Sequence, residues 1–197
     1  MSKKPNFENL LKILRKQKPE RPTLFEYFMS ERFYERLAKG EAAVKNDGLD
    51  GQRVAIKAFA NAGYDYATIF GSDFHFPQNP KNSVNSLSLN DNPIITDWDS
   101  YEAYDWPDPG KCDYSRLEIL APDLPEGMKI IAGDNSGILE AVVGLLGYDN
   151  LCILLYDEPN LVRAVVDRIG EELLKFYERC LSFYIVGALI FRSRLGL

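Results

Sequence analysis

The segment from Asp50 to Phe70 constrains the fold more than any other part of this sequence. Apolar residues recur on one face of a predicted helix that begins at Asp50 and stops at Gly63. A strand of the buried type, Tyr66–Phe70, follows and is rich in β-branched and aromatic residues. A helix, a glycine and a strand that ends in polar residues are typical of α/β folds. The segment therefore predicts a sheet of strands connected by helices.

Three further segments have the pattern of strands, and helical patterns separate all four. Such an alternation implies a parallel sheet with right-handed crossovers. It fits a small open doubly wound sheet or half of an eight-stranded barrel, and periodicity alone does not choose between them. The further strands are predicted at Thr23–Phe28, Met128–Ala132 and Ile185–Phe191. Helices are predicted at 7–17, 30–39, 114–120, 137–146, 151–156 and from Pro159 onward.

The stretch from Gly71 to about Pro109 is rich in Asn, Ser and Pro and predicts a long loop. Long loops inside compact domains often line functional sites, although an ordinary surface excursion fits equally well. Ser72 and Asp73 at its start fit either a functional site or the capping of a turn. His75, the only histidine, lies between Phe74 and Phe76, which favours a packed loop residue over a metal ligand.

The charge balance argues against a nucleic-acid partner. The net charge is −6 and the sequence pI is about 4.9, whereas phosphate binding needs clustered Lys and Arg. The single basic run, Arg15–Lys18, lies at the end of a predicted helix, where cations suit the helix dipole.

The chain shows no sign of export or of membrane insertion. Its three cysteines have no short spacing that would suggest a zinc or disulfide framework. The N-terminus leads into an amphipathic segment and not into a signal peptide. The longest apolar stretch, Phe183–Phe191, is far shorter than the roughly 20 residues that a membrane span requires. We therefore expect a cytoplasmic protein with no membrane partner.

Several motifs in collinear order resemble the uroporphyrinogen decarboxylase superfamily, especially its bacterial branch without an assigned activity. Thr68–Pro77 resembles the end of that family's second barrel strand, which carries a Ser-Asp pair between apolar residues. Asp97–Pro109 resembles the segment that leads to the third strand. Leu124–Lys129 and Gly137–Glu158 continue the likeness, which extends from about Asn6 to Ile190.

The resemblance implies a (β/α)8 barrel with the active site at the carboxyl ends of the strands. The chain would supply the first four βα units of that barrel, preceded by an N-terminal helix, as one truncated domain over residues 1–197. Asp73 matches the aspartate that faces the pyrrole nitrogens of a cyclic tetrapyrrole in the decarboxylase. That enzyme uses no cofactor, because the protonated pyrrole ring acts as its own electron sink. The resemblance thus implies a lyase ancestry with Asp73 as the catalytic carboxylate.

The sequence departs from the decarboxylase at the substrate carboxylates. Glu26 stands about where the family has one of its paired arginines, which makes the polyacid uroporphyrinogen a poor substrate. Arg32 and Arg36 could serve instead, although the spacing of one turn favours a solvated helix face. Glu26, Ser72 and Asn135 are the residues predicted to line the pocket and to bind substrate.

The region after the fourth predicted strand also departs from this superfamily branch. Arg192 and Arg194 stand where the branch has acidic residues, and the sequence stops at Leu197. We therefore expect an incomplete, inactive fragment of a decarboxylase-like enzyme. A corrinoid-dependent methyltransferase-like protein is one alternative, although the zinc ligands of that branch would lie beyond Leu197. The others are a non-catalytic half-barrel module that pairs with itself or with a complementing chain, and a small open-sheet binding protein.

Overall fold

The computed structural model describes residues 4–77, 93–133 and 137–191, which fold into two compact units. The first unit comprises the described parts of Met1–Ser72, Asp113–Gly133 and Cys180–Ile190. The second comprises the described parts of Asp73–Cys112, Asp134–Arg179 and Phe191–Leu197. The chain therefore leaves and re-enters each unit, and the passage from Ser72 to Asp73 is one of the crossings.

The first unit contains a parallel three-stranded sheet. Its strands are β1 (Tyr66–Phe70), β2 (Lys129–Gly133) and β3 (Val186–Ile190), in the spatial order β1-β2-β3. The helices of this unit are α1 (Glu8–Leu14), α2 (Glu31–Ala38), α3 (Asp50–Ala62) and α5 (Ser115–Ile119). The helix α3 and the strand β1 confirm the helix and strand predicted for Asp50–Phe70. Gly63 ends α3 in the left-handed conformation that favours glycine.

Aromatic side chains form the core beside β1. Phe59 of α3 and Tyr66 of β1 are fully buried, with ring centroids 5.7 Å apart. Tyr64 meets both rings edge-on, and α2 packs against α3 through Tyr34, whose ring lies 5.8 Å from Phe59. The apolar face predicted for α3 therefore packs on β1, as its helical spacing requires.

The predicted partial (β/α)8 barrel with four βα units is wrong, because the described residues contain three strands and eight α-helices. The segment Thr23–Phe28, predicted as the first strand, is irregular. Its backbone is bound by a side chain in place of a neighbouring strand: the Tyr66 hydroxyl accepts from the Glu26 N–H at 2.7 Å and donates to the Glu26 carbonyl at 2.8 Å. Phe25 and Phe28 are 62% and 63% exposed, so these apolar residues do not belong to a buried strand.

A bulge at Gly187 interrupts the pairing of β2 with β3. Ile130 pairs with Val186 whereas Ile131 pairs with Ala188, so Gly187 is the extra residue. A Cβ at this position would overlap the ring of Phe7, which is buried just before α1. Glycine therefore allows the N-terminal segment to pack directly on the sheet.

The second unit is helical. It contains α4 (Trp98–Ala103), α6 (Ile138–Leu146), α7 (Tyr148–Asp157) and α8 (Pro159–Leu181) up to Arg179. The sequence predicted α6–α8, but α4 lies inside the stretch that was predicted as a loop. Asp97 and Ser100 begin α4 as a reciprocal capping box.

The membrane prediction can be compared with the helices. Among residues 4–77, 93–133 and 137–191, no single helix is long and apolar enough to cross a membrane. The pair α6 and α7 meets the length and composition criteria together, but the two helices are bent by 91° at the break between them.

Candidate functional site

Asp73, the predicted catalytic residue, has an exposed side chain in the segment that follows β1 along the sequence. Burial alternates here, so that Asp73 and His75 are exposed whereas Phe74 and Phe76 are buried. Phe74 stacks on Phe176 of α8 with ring centroids 5.3 Å apart. The two phenylalanines therefore anchor the segment, and the side chains of Asp73 and His75, which alternate with them, are exposed.

Cys112 lies beside Asp73 in the second unit. Its half-buried thiol is a hydrogen-bond donor to two oxygen acceptors: the main-chain carbonyl of Asp108, 3.5 Å from the sulfur, and the Asp73 carboxylate. Burial raises the pKa of the Cys112 thiol, and the negative charges of Asp73 and Asp108 raise it further. The thiol therefore stays protonated at neutral pH and acts as a donor to Asp73.

Asp108 is a second carboxylate near this thiol, and it is held in its ionised form. Its side chain accepts from the Gly110 N–H at 2.8 Å. That hydrogen bond lowers the pKa of Asp108, and the charges of Lys111 and Lys175 lower it as well. The thiol of Cys112 thus has the Asp73 carboxylate and the main-chain carbonyl of Asp108 as acceptors, and the Asp108 carboxylate adds a negative charge nearby. We name Asp73, Asp108 and Cys112 the Asp73 cluster.

His75 does not add its ring to a set of metal ligands. Its Nδ1 lies 2.9 Å from the carbonyl oxygen of Asp73, so the ring is bound to the backbone of its own segment. The prediction that His75 is a packed residue is wrong, because its side chain is exposed. Within the described ranges, no group of three or more His, Cys, Asp and Glu side chains is arranged to hold a metal ion.

The other predicted residues do not all join Asp73. Glu26 lies in the first unit with an exposed side chain, and its carboxylate accepts from the N–H of Tyr27 at 2.9 Å. Ser72 also belongs to the first unit and is buried. Asn135 lies outside the described residues. Arg32 and Arg36 are exposed on α2, as expected for a solvated helix face.

Sequence reasoning missed Cys112 and Asp108. The signal available was the short Asp108–Cys112 segment, in which a proline and a glycine predict a turn. Nothing in that pattern indicates that the turn lies beside Asp73. Two cavities of about 660 and 370 Å³ were also not predicted, and neither has Asp73 among its lining residues.

Comparison with known proteins does not assign the chain to a class. No family model matches it, and no curated protein or solved structure matches it either. The resemblance to the uroporphyrinogen decarboxylase superfamily therefore stays a prediction that depends on the motifs around Asp73 and their order.

Proposed function

We propose that this chain is a uroporphyrinogen decarboxylase-like protein in which Asp73 binds and orients a substrate ring through its N–H groups. The observation that carries the proposal is the exposed Asp73 carboxylate beside the Cys112 thiol, in the segment whose sequence resembles the family motif. A carboxylate has two oxygens that accept several N–H donors together, which suits the centre of a cyclic tetrapyrrole.

The chemistry implied by the resemblance needs no cofactor. When a pyrrole ring takes up a proton, the cationic ring can accept the electron pair that the C–CO₂ bond releases as carbon dioxide departs. A carboxylate next to the ring nitrogens stabilises that cation electrostatically. Asp73 is the residue that would do so here, and Cys112 would act through Asp73 by fixing the direction of its carboxylate.

The proposed substrate class follows from Glu26, which stands about where the family has an arginine that binds substrate carboxylates. Glu26 occupies that position, and its carboxylate is exposed. A negative charge there disfavours a substrate with many carboxylates. The substrate that we propose is a ring with N–H groups and fewer carboxylates than uroporphyrinogen.

Binding of porphyrinogens tests this proposal without requiring turnover, because their pyrrole N–H groups can all turn to one face of a flexible ring. The probes are uroporphyrinogen, coproporphyrinogen and mesoporphyrinogen, whose number of carboxylates decreases in that order. We expect anaerobic equilibrium dialysis to show the tightest binding for mesoporphyrinogen. The variant Asp73→Asn should weaken it by at least ~10-fold, since hydrogen bonds to a charged acceptor contribute roughly 1.5–3 kcal/mol.

Asp157→Asn is the matched control, because Asp157 is exposed at the end of α7 in the same unit as Asp73. This variant should bind mesoporphyrinogen like the unchanged protein. If Asp73→Asn and Asp157→Asn bound equally well, Asp73 would not be the residue that recognises the ring.

A non-catalytic module that docks on a partner chain is a second candidate. It is favoured by large apolar side chains that are exposed in the irregular segment after Pro22 and at the start of α2. These side chains are Leu24, Phe25, Phe28 and Phe33. Single exposed apolar residues are normal, but a larger exposed apolar surface often marks an interaction site, and these four lie within ten positions of the sequence. Sedimentation of the purified chain would distinguish the candidates, because a module that pairs with a second copy of itself should sediment as a dimer and should not bind mesoporphyrinogen.

A further inference from the structure

A cavity of about 660 Å³ lies in the first unit beside the residues that precede β1 and β2. The segment that carries Asn6 crosses this end of the sheet: Asn6 N–H donates to Asp65 at 2.7 Å, and Phe7 N–H donates to the Gly127 carbonyl at 2.9 Å. The cavity is lined mainly by polar and charged residues, and none of them belongs to the Asp73 cluster.

Asn9 supplies the first argument for a ligand at this cavity. It lines the cavity although the whole residue is only 1% exposed. Its side-chain oxygen accepts from the Glu20 N–H at 3.0 Å, whereas its NH₂ group donates to no acceptor in the described part of the chain. A nearly buried donor without a partner costs free energy unless a ligand or a water binds it.

Arg21 supplies a second donor on the same lining. Asp65, which is buried, pairs with the Nη2 group of Arg21, and the Nη1 group donates to the carbonyl of Pro22. These contacts hold the guanidinium in one place, and its Nε–H has no acceptor among the described residues. Asn9 and Arg21 thus form a fixed donor set, which is suited to a carboxylate.

The rim of the cavity has hydrogen-bond acceptors with negative charge, in contrast to the donors of Asn9 and Arg21. Glu20 and Glu126 line it with largely exposed carboxylates. The Glu20 carboxylate lies 3.2 Å from the partly buried Lys12. The Glu126 carboxylate lies 3.7 Å from Lys4, which also lines the cavity and is largely exposed. Ion pairs of exposed carboxylates contribute little and exchange readily, so Glu20 and Glu126 can bind an ammonium group instead.

We propose that this cavity binds a free α-amino acid. The ligand's carboxylate binds the nearly buried donors of Asn9 and Arg21, and its ammonium group faces the carboxylates of Glu20 and Glu126. The paired charges of such a zwitterion match a lining that has donors inside and acceptors at the rim. The site is independent of the function proposed for Asp73, because the two share no residue.

Binding to the full chain is the test, with the twenty standard L-amino acids screened one at a time by isothermal titration calorimetry. We expect saturable binding of at least one of them with a Kd on the order of 1 mM or tighter, as its small size allows. The N-acetyl derivative and the amide of that amino acid lack one of the two charges each. Both should bind at least ~10-fold more weakly.

Asn9→Asp tests the inner donors. Aspartate keeps the oxygen that accepts from Glu20 N–H but replaces the NH₂ donor by a negative oxygen, so binding of the amino acid should fall by at least ~10-fold. Asn160→Asp on α8 is the matched control at an exposed asparagine and should leave binding unchanged. Equal losses in the two variants would overturn the site.

Glu126→Gln tests the rim at an exposed position, where the substitution does not endanger folding. It should weaken binding of the amino acid and leave binding of its N-acetyl derivative unchanged. The proposal would be overturned if no amino acid bound at ~10 mM, or if the N-acetyl derivative bound as tightly as its parent. Asp73→Asn should bind the amino acid normally, which separates the failure of this site from the failure of the proposed function.

Discussion

Asp73 shows how much a single residue's place in the sequence can reveal. Its position after a strand and within a Ser-Asp motif singled it out, and its side chain is indeed exposed. Its contact with Cys112 could not be predicted, because a chain turn far along the sequence brings the thiol to it. Local sequence patterns predict exposed positions and turns, whereas contacts between distant segments depend on how the whole unit packs.

The reactivity of Cys112 gives a prediction for this contact. Asp73→Asn removes a negative charge and a charged acceptor from the thiol, so the pKa of Cys112 should fall. More thiolate is then present at a given pH, and alkylation by iodoacetamide at about pH 8 should be several-fold faster. The measurement needs a Cys152→Ser background, because Cys152 is exposed, whereas Cys180 is buried.

The control for this experiment is Asp157→Asn in the same background. Asp157 lies on α7 and does not contribute to the pKa of Cys112. Alkylation rates that are the same in both variants between about pH 7 and 10 would show that Asp73 does not contact the thiol.

At the scale of elements, the segment Thr23–Phe28 is where the sequence pattern gave the wrong structure. A short run of apolar and aromatic residues is ambiguous, because side-chain character does not say which group binds the backbone. Tyr66 binds it here through its hydroxyl. The strands β1, β2 and β3 were predicted correctly because each is β-branched or small and follows a clear helical pattern or turn.

Tyr66→Phe should therefore destabilise the first unit. The change removes a buried hydroxyl that makes two hydrogen bonds to Glu26, and it leaves the ring packing intact. We expect a loss of ~1–3 kcal/mol in the free energy of unfolding, measured by urea denaturation. Tyr148→Phe on α7, where the ring is exposed, should change it by less than ~0.5 kcal/mol.

The start of α3 is held by a buried ion network. The Arg53 side chain is 1% exposed, and its guanidinium binds Asp47 at 2.5 Å, Asp123 at 2.7 Å and Asp50 at 3.0 Å. The hydrogen bond from Arg53 lowers the pKa of Asp47 strongly. The hydrogen bonds from Lys45 and Arg53 outweigh burial and lower the pKa of Asp123.

Arg53→Met should reveal this network through the pH dependence of stability. Carboxylates whose pKa is lower in the folded state stabilise it above the unfolded pKa of ~3.9, and this contribution is lost as the pH falls through the folded pKa. The melting temperature of Arg53→Met should thus lie well below that of the unchanged protein near pH 6. The difference should shrink as the pH falls toward ~2.

Arg163→Met on α8 is the control for this comparison, since its ion pair with Asp167 is exposed and long at 3.9 Å. It should leave the melting temperature nearly unchanged at every pH. A difference for Arg53→Met that stayed constant between about pH 6 and 2 would show that carboxylate pairing is not what this arginine contributes.

At the scale of the whole molecule, the alternation of helices and strands predicted the parallel sheet but not its extent. Three of the four predicted strands form, and the partial barrel was inferred from a count of four and from a resemblance. Long-range pairing cannot be read from periodicity, since a strand is defined by its neighbours. The same limit explains why the cavity lined by Asn9 and Arg21 was not predicted, because its residues come from separate segments.

The central claim is that Asp73 recognises the N–H groups of a ring, and a pair of ligands tests it most directly. Mesoporphyrinogen has four pyrrole N–H groups that can turn to one face of its flexible ring. Mesoporphyrin has the same carboxylates, but its two N–H groups are held inside the plane of a rigid ring. We predict that the unchanged protein binds mesoporphyrinogen at least ~10-fold more tightly than mesoporphyrin, and that Asp73→Asn abolishes this preference. Equal affinity of the unchanged protein for the two rings would contradict the claim.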